Sequence, residues 1–265
     1  MPKTALSSPV IVARFLQILP GIIRSGPSGK FTVVDLLEDR AKHRGDSLFV
    51  RFEDQKWTYA DTNARANQVA HWALGRGLGR GSAVALLMEN RPEYLAIWLG
   101  LAKVGAVTAL LNTHLRGAAL AHCLDAAGCD QLVLGTECVE VWNSLGEDRA
   151  GFEVFLARDP GDETPESLPD ARSLEAEIAQ ASSENPPRVV RAELRGADPL
   201  FYIYTSGTTG LPKAAKLSHS RFMGGGIYAA LAGLRTEDIV YCPLPLYHTS
   251  GGVMCVNAVL RKGAT

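Results

Sequence analysis

Residues 83–134 read AVALLMENRPEYLAIWLGLAKVGAVTALLNTHLRGAALAHCLDAAGCDQLVL, and this stretch decides the fold class. Ala83–Met88 is a short unbroken apolar run, which by length and composition is a strand buried on both faces. Asn90-Arg-Pro92 follows, and proline suits the first turn of a helix because its missing N–H would have no partner there. The helical pattern runs to about Val104, and Gly105 closes it. Val107–Leu111 is the next strand, Gly117–Ala127 the next helix and Gln131–Leu134 another strand. The order β-α-β-α-β predicts an α/β chain with a mostly parallel, doubly wound sheet flanked by helices.

Upstream, Leu48–Phe52 predicts a strand that pairs with a second short run, Lys56–Thr58. Thr58 and Asp61 have the spacing of a capping box, and Ala66, Val69, Ala70, Ala73 and Leu74 then recur at helical period until Gly75 and Gly77. Pro9–Ile23 is apolar but shorter than the ~20 residues of a spanning helix, and Arg14 and Pro20 interrupt it. No small-residue cleavage site follows. Residues 1–30 therefore read as an apolar N-terminal segment, either peripheral on a membrane or packed on the protein. Residues 31–265 read as one incomplete domain. Within it, 158–198 forms an acidic, proline-rich surface excursion with a modest helix near Leu174–Ala181.

Composition narrows the function classes. With 46% hydrophobic residues in 265, the chain can bury a large core, and its formal charge of -1 gives no field that would draw nucleic acid. The five cysteines show no C-x-x-C spacing, so neither a zinc site nor a redox motif is expected, and idle thiols in a reducing cytoplasm are the reading. The oligomeric state is not legible.

The chemistry concentrates after the strand Leu200-Phe-Tyr-Ile-Tyr204, which runs into Thr205-Ser-Gly-Thr-Thr-Gly-Leu-Pro-Lys213. Glycines behind a strand let backbone N–H groups converge on an anion. Hydroxyls at Thr205, Ser206, Thr208 and Thr209 add donors, and Lys213 supplies a compact positive charge. A Walker-type loop fails on spacing, because Gly210-Leu-Pro separates glycine from lysine and Ala214 follows the lysine.

The run YTSGTTGLPKAA (Tyr204–Ala215) resembles the phosphate-binding signature of the adenylate-forming, AMP-binding superfamily. WTYADTNARANQVAHWALGRG (Trp57–Gly77), the segment from Met88 to Leu124 with its LLNTHLR, and PLYHTSGG (Pro245–Gly252) are similar to the fatty-acid transport protein and very-long-chain acyl-CoA synthetase branch. The resemblance implies the N-terminal part of the large acyl-CoA synthetase-like domain, with the small C-terminal domain absent. It implies an acid–thiol ligase in which a fatty carboxylate attacks the α-phosphate of Mg-ATP, and coenzyme A then displaces AMP. ATP, Mg2+, the fatty acid and coenzyme A are the implied small-molecule partners. By the same resemblance Tyr204, Thr205, Ser206, Gly207, Thr208, Thr209, Gly210, Leu211, Pro212 and Lys213 hold the nucleotide phosphates. Thr208 and Lys213 bear on catalysis, and Thr209 is the hydroxyl expected to reach the metal.

Of the six histidines, His43, His71, His114 and His122 read as surface or satisfied core positions. His248 differs. Val240–Gly251 reads as an apolar strand running into a glycine-ended turn, which would set Tyr247 and His248 at a strand's carboxyl end, where open α/β sheets bind ligands. The resemblance places this histidine near the carboxylate and α-phosphate, orienting and stabilising charge. His219 reads as the start of a helix. No Y-G-x-T-E motif and no C-terminal lysine motif appear, so the chain alone is expected to bind nucleotide weakly and not to complete thioester synthesis. Two alternatives stand beside the ligase: a non-catalytic remnant with an association role, and an adenylating ligase for a different carboxylic acid.

Overall fold

Burial on both faces makes the strands of residues 83–135 read as unbroken apolar runs, and the computed structural model shows where those faces go. It describes residues 23–158, 168–205, 211–225 and 233–265, with 12, 13, 16, 19–21, 165 and 227 besides. The chain divides into two compact units, each assembled from separate stretches of sequence. One comprises Ala64–Arg191 and Pro199–Leu217, the other Met1–Asn63, Ala192–Asp198 and Ser218–Thr265.

The first of these units holds a seven-stranded sheet. Its strands are β3 (Ala83–Leu87), β4 (Val107–Leu110), β5 (Gln131–Gly135), β6 (Glu153–Ala157), β7 (Arg172–Ser173), β8 (Pro199–Thr205) and β9 (Lys213–Ser218), in the order β7-β6-β5-β3-β4-β8-β9. β7 pairs with β6, β6 with β5, β5 with β3, β3 with β4 and β4 with β8, all in parallel. The expected doubly wound layer is therefore present. The excursion contributes to it as well: β7 extends the sheet edge, and the short helix Leu174–Ile178 follows, capped by the Ser173 hydroxyl. Further on, the carbonyls of Ser183 and Glu184 are held by Asn67 and by the ring of His71, which explains that histidine structurally.

Helices cover both faces of the sheet. On one side Leu120, Cys123, Leu124 and Ala127 of the helix Gly117–Ala127 join Leu87, Ala109, Leu132, Leu134 and Tyr204 in a single apolar core. On the other, Trp72 meets Phe155 edge-on at 4.9 Å and Trp98 meets Phe201 edge-on at 5.0 Å. Trp72 belongs to the helix Tyr59–Gly75 and Trp98 to the helix Pro92–Lys103. These two helices touch at Gly100, where a Cβ would lie 2.6 Å from the carbonyl oxygen of Ala66, so only glycine permits the approach. Arg65 and Glu93 pair across the same contact at 2.9 Å.

The other unit is built from chain segments far apart in sequence. β1 (Leu48–Phe52) and β2 (Gln55–Thr58) form the antiparallel hairpin that the sequence predicts. Thr58 and Asp61 cap the helix that follows: the Asp61 carboxylate accepts from the Thr58 N–H at 2.9 Å, and the Asp61 N–H donates to the Thr58 hydroxyl at 3.1 Å. Tyr59 then reaches the carbonyl of Ala264 at 2.7 Å, and the Thr265 hydroxyl donates to the Leu48 carbonyl at 3.0 Å. From the helix Val33–Arg44, Arg40 donates to the Leu260 and Arg261 carbonyls at the end of the helix Val256–Lys262. No helix among the described residues is long and apolar enough to cross a membrane.

Candidate phosphate-binding edge and the His248 turn

β8 is the strand that carries the candidate loop. Leu200, Phe201, Ile203 and Tyr204 are buried, and the strand emerges only at Thr205, which is exposed. Tyr204 itself turns into the core: its hydroxyl donates to the carbonyl of Cys123 at 2.8 Å, and burial pushes its pKa well above the ordinary phenol value. Its side chain thus fixes the strand end. Ser206, Gly207, Thr208, Thr209 and Gly210 lie outside the described residues.

The chain resumes at Leu211, which is 46% exposed, then Pro212, and Lys213 opens β9 as an exposed residue. β9 lies beside β8 after a connection far shorter than a parallel crossover requires, so it runs back alongside its neighbour. Thr205 and Lys213 therefore stand at the same edge of the sheet, one at the carboxyl end of β8 and the other at the start of β9. Further along β9, the ammonium of Lys216 lies 5.7 Å from the centre of the Tyr202 ring.

That edge holds residues for which the motif gave no signal. β4 pairs in parallel with β8, Leu110 opposite Ile203, so the turn after Leu110 leaves the sheet beside Thr205. In this turn the His114 N–H donates to Asn112 at 2.9 Å, and Arg116 donates to the carbonyls of Thr113 and Leu115 at 2.7 and 2.9 Å. Thr113 is only 3% exposed, yet its hydroxyl has no hydrogen-bond partner among the described residues. A buried hydroxyl without a partner costs free energy, which makes it a site where a ligand atom would be welcome. Strand pairing, a property of the fold, is what brings this turn to the Thr205 end of β8.

His248 belongs to the other unit. The expected strand leading to it does not form: residues 240–245 have no regular strand assignment. Val240 donates to the Thr265 carbonyl at 2.8 Å and Thr265 to the Asp238 carbonyl at 3.2 Å, but pairing stops there. Pro243 and Pro245 lack the N–H groups a ladder needs, and Ile239 and Tyr241 point outward, 72% and 86% exposed. His248 instead opens a turn of π-helix, Thr249–Cys255. The His248 N–H donates to the Pro245 carbonyl at 3.2 Å, and its own carbonyl accepts from Gly252 at 2.8 Å. Its ring is exposed and tilted against buried Tyr247, centroids 4.7 Å apart.

Two glycines make this turn possible. A Cβ at Gly252 would lie 2.0 Å from the Leu246 carbonyl oxygen, and one at Gly251 2.5 Å from that of Pro245. Backbone cannot yield at such distances, so the Gly-Gly pair specifies how His248 is presented. His219 lies elsewhere in the same unit and opens the helix His219–Gly225 as expected. It is fully buried, neither ring nitrogen is hydrogen-bonded among the described residues, and burial lowers its pKa to about 4. It is a neutral core residue.

Residues 37–265 match the AMP-binding enzyme family. The chain belongs to that family. It is 40% identical over 216 residues to long-chain fatty acid transport protein 1 of Rattus norvegicus, covering 79% of this chain and 32% of that protein. Over 269 residues it is 33% identical to the medium/long-chain-fatty-acid–CoA ligase FadD6 of Mycobacterium tuberculosis, covering 100% of this chain and 42% of that one. Among solved structures, the anthranilate CoA ligase AuaEII in complex with anthranoyl-AMP superposes with a TM-score of 0.77 at 21% identity, over 91% of this chain and 45% of that one, which shows the shared fold. The chain spans well under half the length of these curated relatives.

Proposed function

We propose that this chain supplies the nucleotide-phosphate side of a fatty acid–CoA ligase that works through an acyl-adenylate. The observation that carries the proposal is the delivery of Thr205 and Lys213 to one edge of a parallel sheet, at the two ends of a glycine- and hydroxyl-rich loop. An anion held there meets fixed donors and a cation, which is what phosphoryl and adenylyl chemistry demands of a protein. The matched relatives named for fatty acid transport and for fatty acid–CoA ligation support the choice of a fatty carboxylate as substrate.

In this proposal Thr205, Ser206, Thr208, Lys213 and the loop backbone hold the β- and γ-phosphates and then the departing pyrophosphate. Tyr204 anchors the strand beneath them. His248 orients the carboxylate and stabilises charge at the α-phosphate; a base is unnecessary, since a fatty carboxylate is already ionised at neutral pH. Coenzyme A then takes the acyl group as AMP leaves. Magnesium supplies charge neutralisation on the phosphates when the nucleotide is bound. Thr209 is the hydroxyl proposed to reach the ion. Cytoplasmic residence on a membrane surface completes the proposal, supported by Val12, Leu16 and Ile23, which expose 53%, 60% and 70% of their surface.

Fatty-acid-dependent exchange of pyrophosphate into ATP tests the reading. Exchange that needs a long-chain acid and drops about a hundredfold in Lys213→Ala supports it. Exchange only with benzoate-like acids moves the protein to a different ligase, and exchange with no acid leaves a non-catalytic association role.

A further inference from the structure

Three arginines, Arg40, Arg44 and Arg261, come together at the C-terminal end of the helix Val256–Lys262. Arg40 and Arg44 stand one turn apart on the helix Val33–Arg44 and share a face. Both flank Gly263: a Cβ there would lie 3.0 Å from Cδ of Arg44 and 3.4 Å from Cδ of Arg40. Arg40 reaches on to the carbonyls of Leu260 and Arg261, and the Arg261 side chain donates to the carbonyl of Met223. Burial, and then the Arg40 charge, hold the Arg261 guanidinium below its ordinary pKa.

Acting as a helix cap explains Arg40, because the last carbonyls of a helix attract a cation. It does not explain the other two. The one side-chain contact of Arg44 is a long one, 3.4 Å to the Ser47 hydroxyl. Nε of Arg44 and Nε of Arg261 are buried without a hydrogen-bond partner among the described residues. Nor does acid balance the charge. Among the described residues Arg44 and Arg261 form no ion pair, and Arg40 has only Asp39 at 3.7 Å, a half-exposed carboxylate that His43 shares at 3.2 Å.

We propose that Arg40, Arg44 and Arg261 form a site for a phosphate group at the end of the helix Val256–Lys262. Guanidinium groups present flat forks of N–H donors that match phosphate oxygens, and these contacts leave most of the donors over. All three side chains are half-buried, so an anion would meet partly desolvated charge and still find it from solvent. The candidate loop at 205–213 belongs to the other unit, and the inference is independent of the adenylation reading.

A soluble phosphate ester and a lipid headgroup present the same chemistry to these arginines. A Cβ at Gly21 would lie 3.5 Å from Nη1 of Arg261, so the segment that exposes Val12, Leu16 and Ile23 comes up to the cluster. A headgroup would therefore find apolar surface near its charge partners, which a soluble ester does not need.

The test titrates inorganic phosphate, with chloride at matched ionic strength as control, into the wild type and into Lys213→Ala, in which the candidate loop is weakened. Phosphate should raise the melting midpoint of both by about 2–4 °C at roughly tenfold excess over its Kd. Hydrogen exchange should slow over residues 40–47 and 257–264. Arg44→Gln and Arg261→Gln keep the Arg40 cap, and each should weaken phosphate binding about tenfold. The exchange footprint of the wild type stands without them, so a variant that fails to fold does not blunt it. Sedimentation with vesicles of phosphatidylcholine, with and without phosphatidic acid, separates the carriers. Binding that needs phosphatidic acid and falls in the variants names the headgroup, whereas the phosphate footprint without vesicle binding names a soluble ester. Equal stabilisation by chloride, protection confined to residues 205–213, or binding unchanged in both variants overturns the proposal.

Discussion

Tyr204 and Cys123 are joined by a buried hydrogen bond of 2.8 Å from the phenol of the last core residue of β8 to a helix carbonyl. It fixes the strand at the point where the chain leaves the core and becomes the candidate phosphate loop. Tyr204→Phe keeps the ring and removes the donor. Stability should fall by about 1 kcal/mol, read from the midpoint of urea unfolding at unchanged slope. Adenylation, measured by pyrophosphate exchange, should fall only severalfold, because the phenol is turned to the Cys123 carbonyl and supports the strand end. A collapse as large as that of Lys213→Ala would show direct contact.

Thr113 offers a separation of stability from binding. Its hydroxyl is buried with no partner among the described residues, so Thr113→Val exchanges an unsatisfied group for a methyl of similar shape. Unfolding free energy should be unchanged or slightly higher. If the hydroxyl serves the nucleotide, the KM for ATP should rise several times over in the same variant. Destabilisation by more than about 1 kcal/mol would mean the hydroxyl has a structural partner after all.

His219 predicts a pH dependence. Its pKa falls from 6.5 to about 4, chiefly through burial, with the carboxylates of Asp198 and Asp35 opposing the shift. The unfolded chain takes up the proton first as pH drops, so the stability this residue contributes is complete above pH 6.5 and is lost between 6.5 and about 4. The loss is at most about 3 kcal/mol. Thermal melts across that range should steepen in the native protein and flatten in His219→Leu. Equal slopes in the two would remove the histidine from the account.

Gly252→Ala tests the presentation of His248. The added Cβ would meet the Leu246 carbonyl at 2.0 Å, and a backbone oxygen cannot swing aside as a side chain can. The turn must open, at a cost of about 1–3 kcal/mol, and kcat for adenylation should fall more than the KM for ATP. Unchanged melting and activity would show that the turn has slack.

Local signals in the sequence were sufficient for much of this protein. The apolar runs at 83–88 and 107–111, Pro92 before one helix and the Thr58–Asp61 cap before another each act within a few residues, and the elements formed where those signals stood. The glycine- and hydroxyl-rich run could be read as a candidate phosphate loop for the same reason, since its pattern resides in contiguous residues. Elsewhere local pattern misled. Val240–Pro245 is apolar enough for a strand, but Pro243 and Pro245 lack the N–H groups of a ladder, and the backbone bond from Val240 to Thr265 does not extend into one.

By itself, then, the sequence determined the α/β class, the run of strands and helices and the family-bearing loop, because periodicity, capping and glycine placement are short-range effects. Tertiary structure alone decided that Tyr204 faces the core, that the turn after Leu110 leaves the sheet at the Thr205 end of β8 and that Gly252 shapes the His248 turn. Each of these is a contact between residues whose nearness follows from strand pairing or loop closure, and neither leaves a periodic trace in the chain.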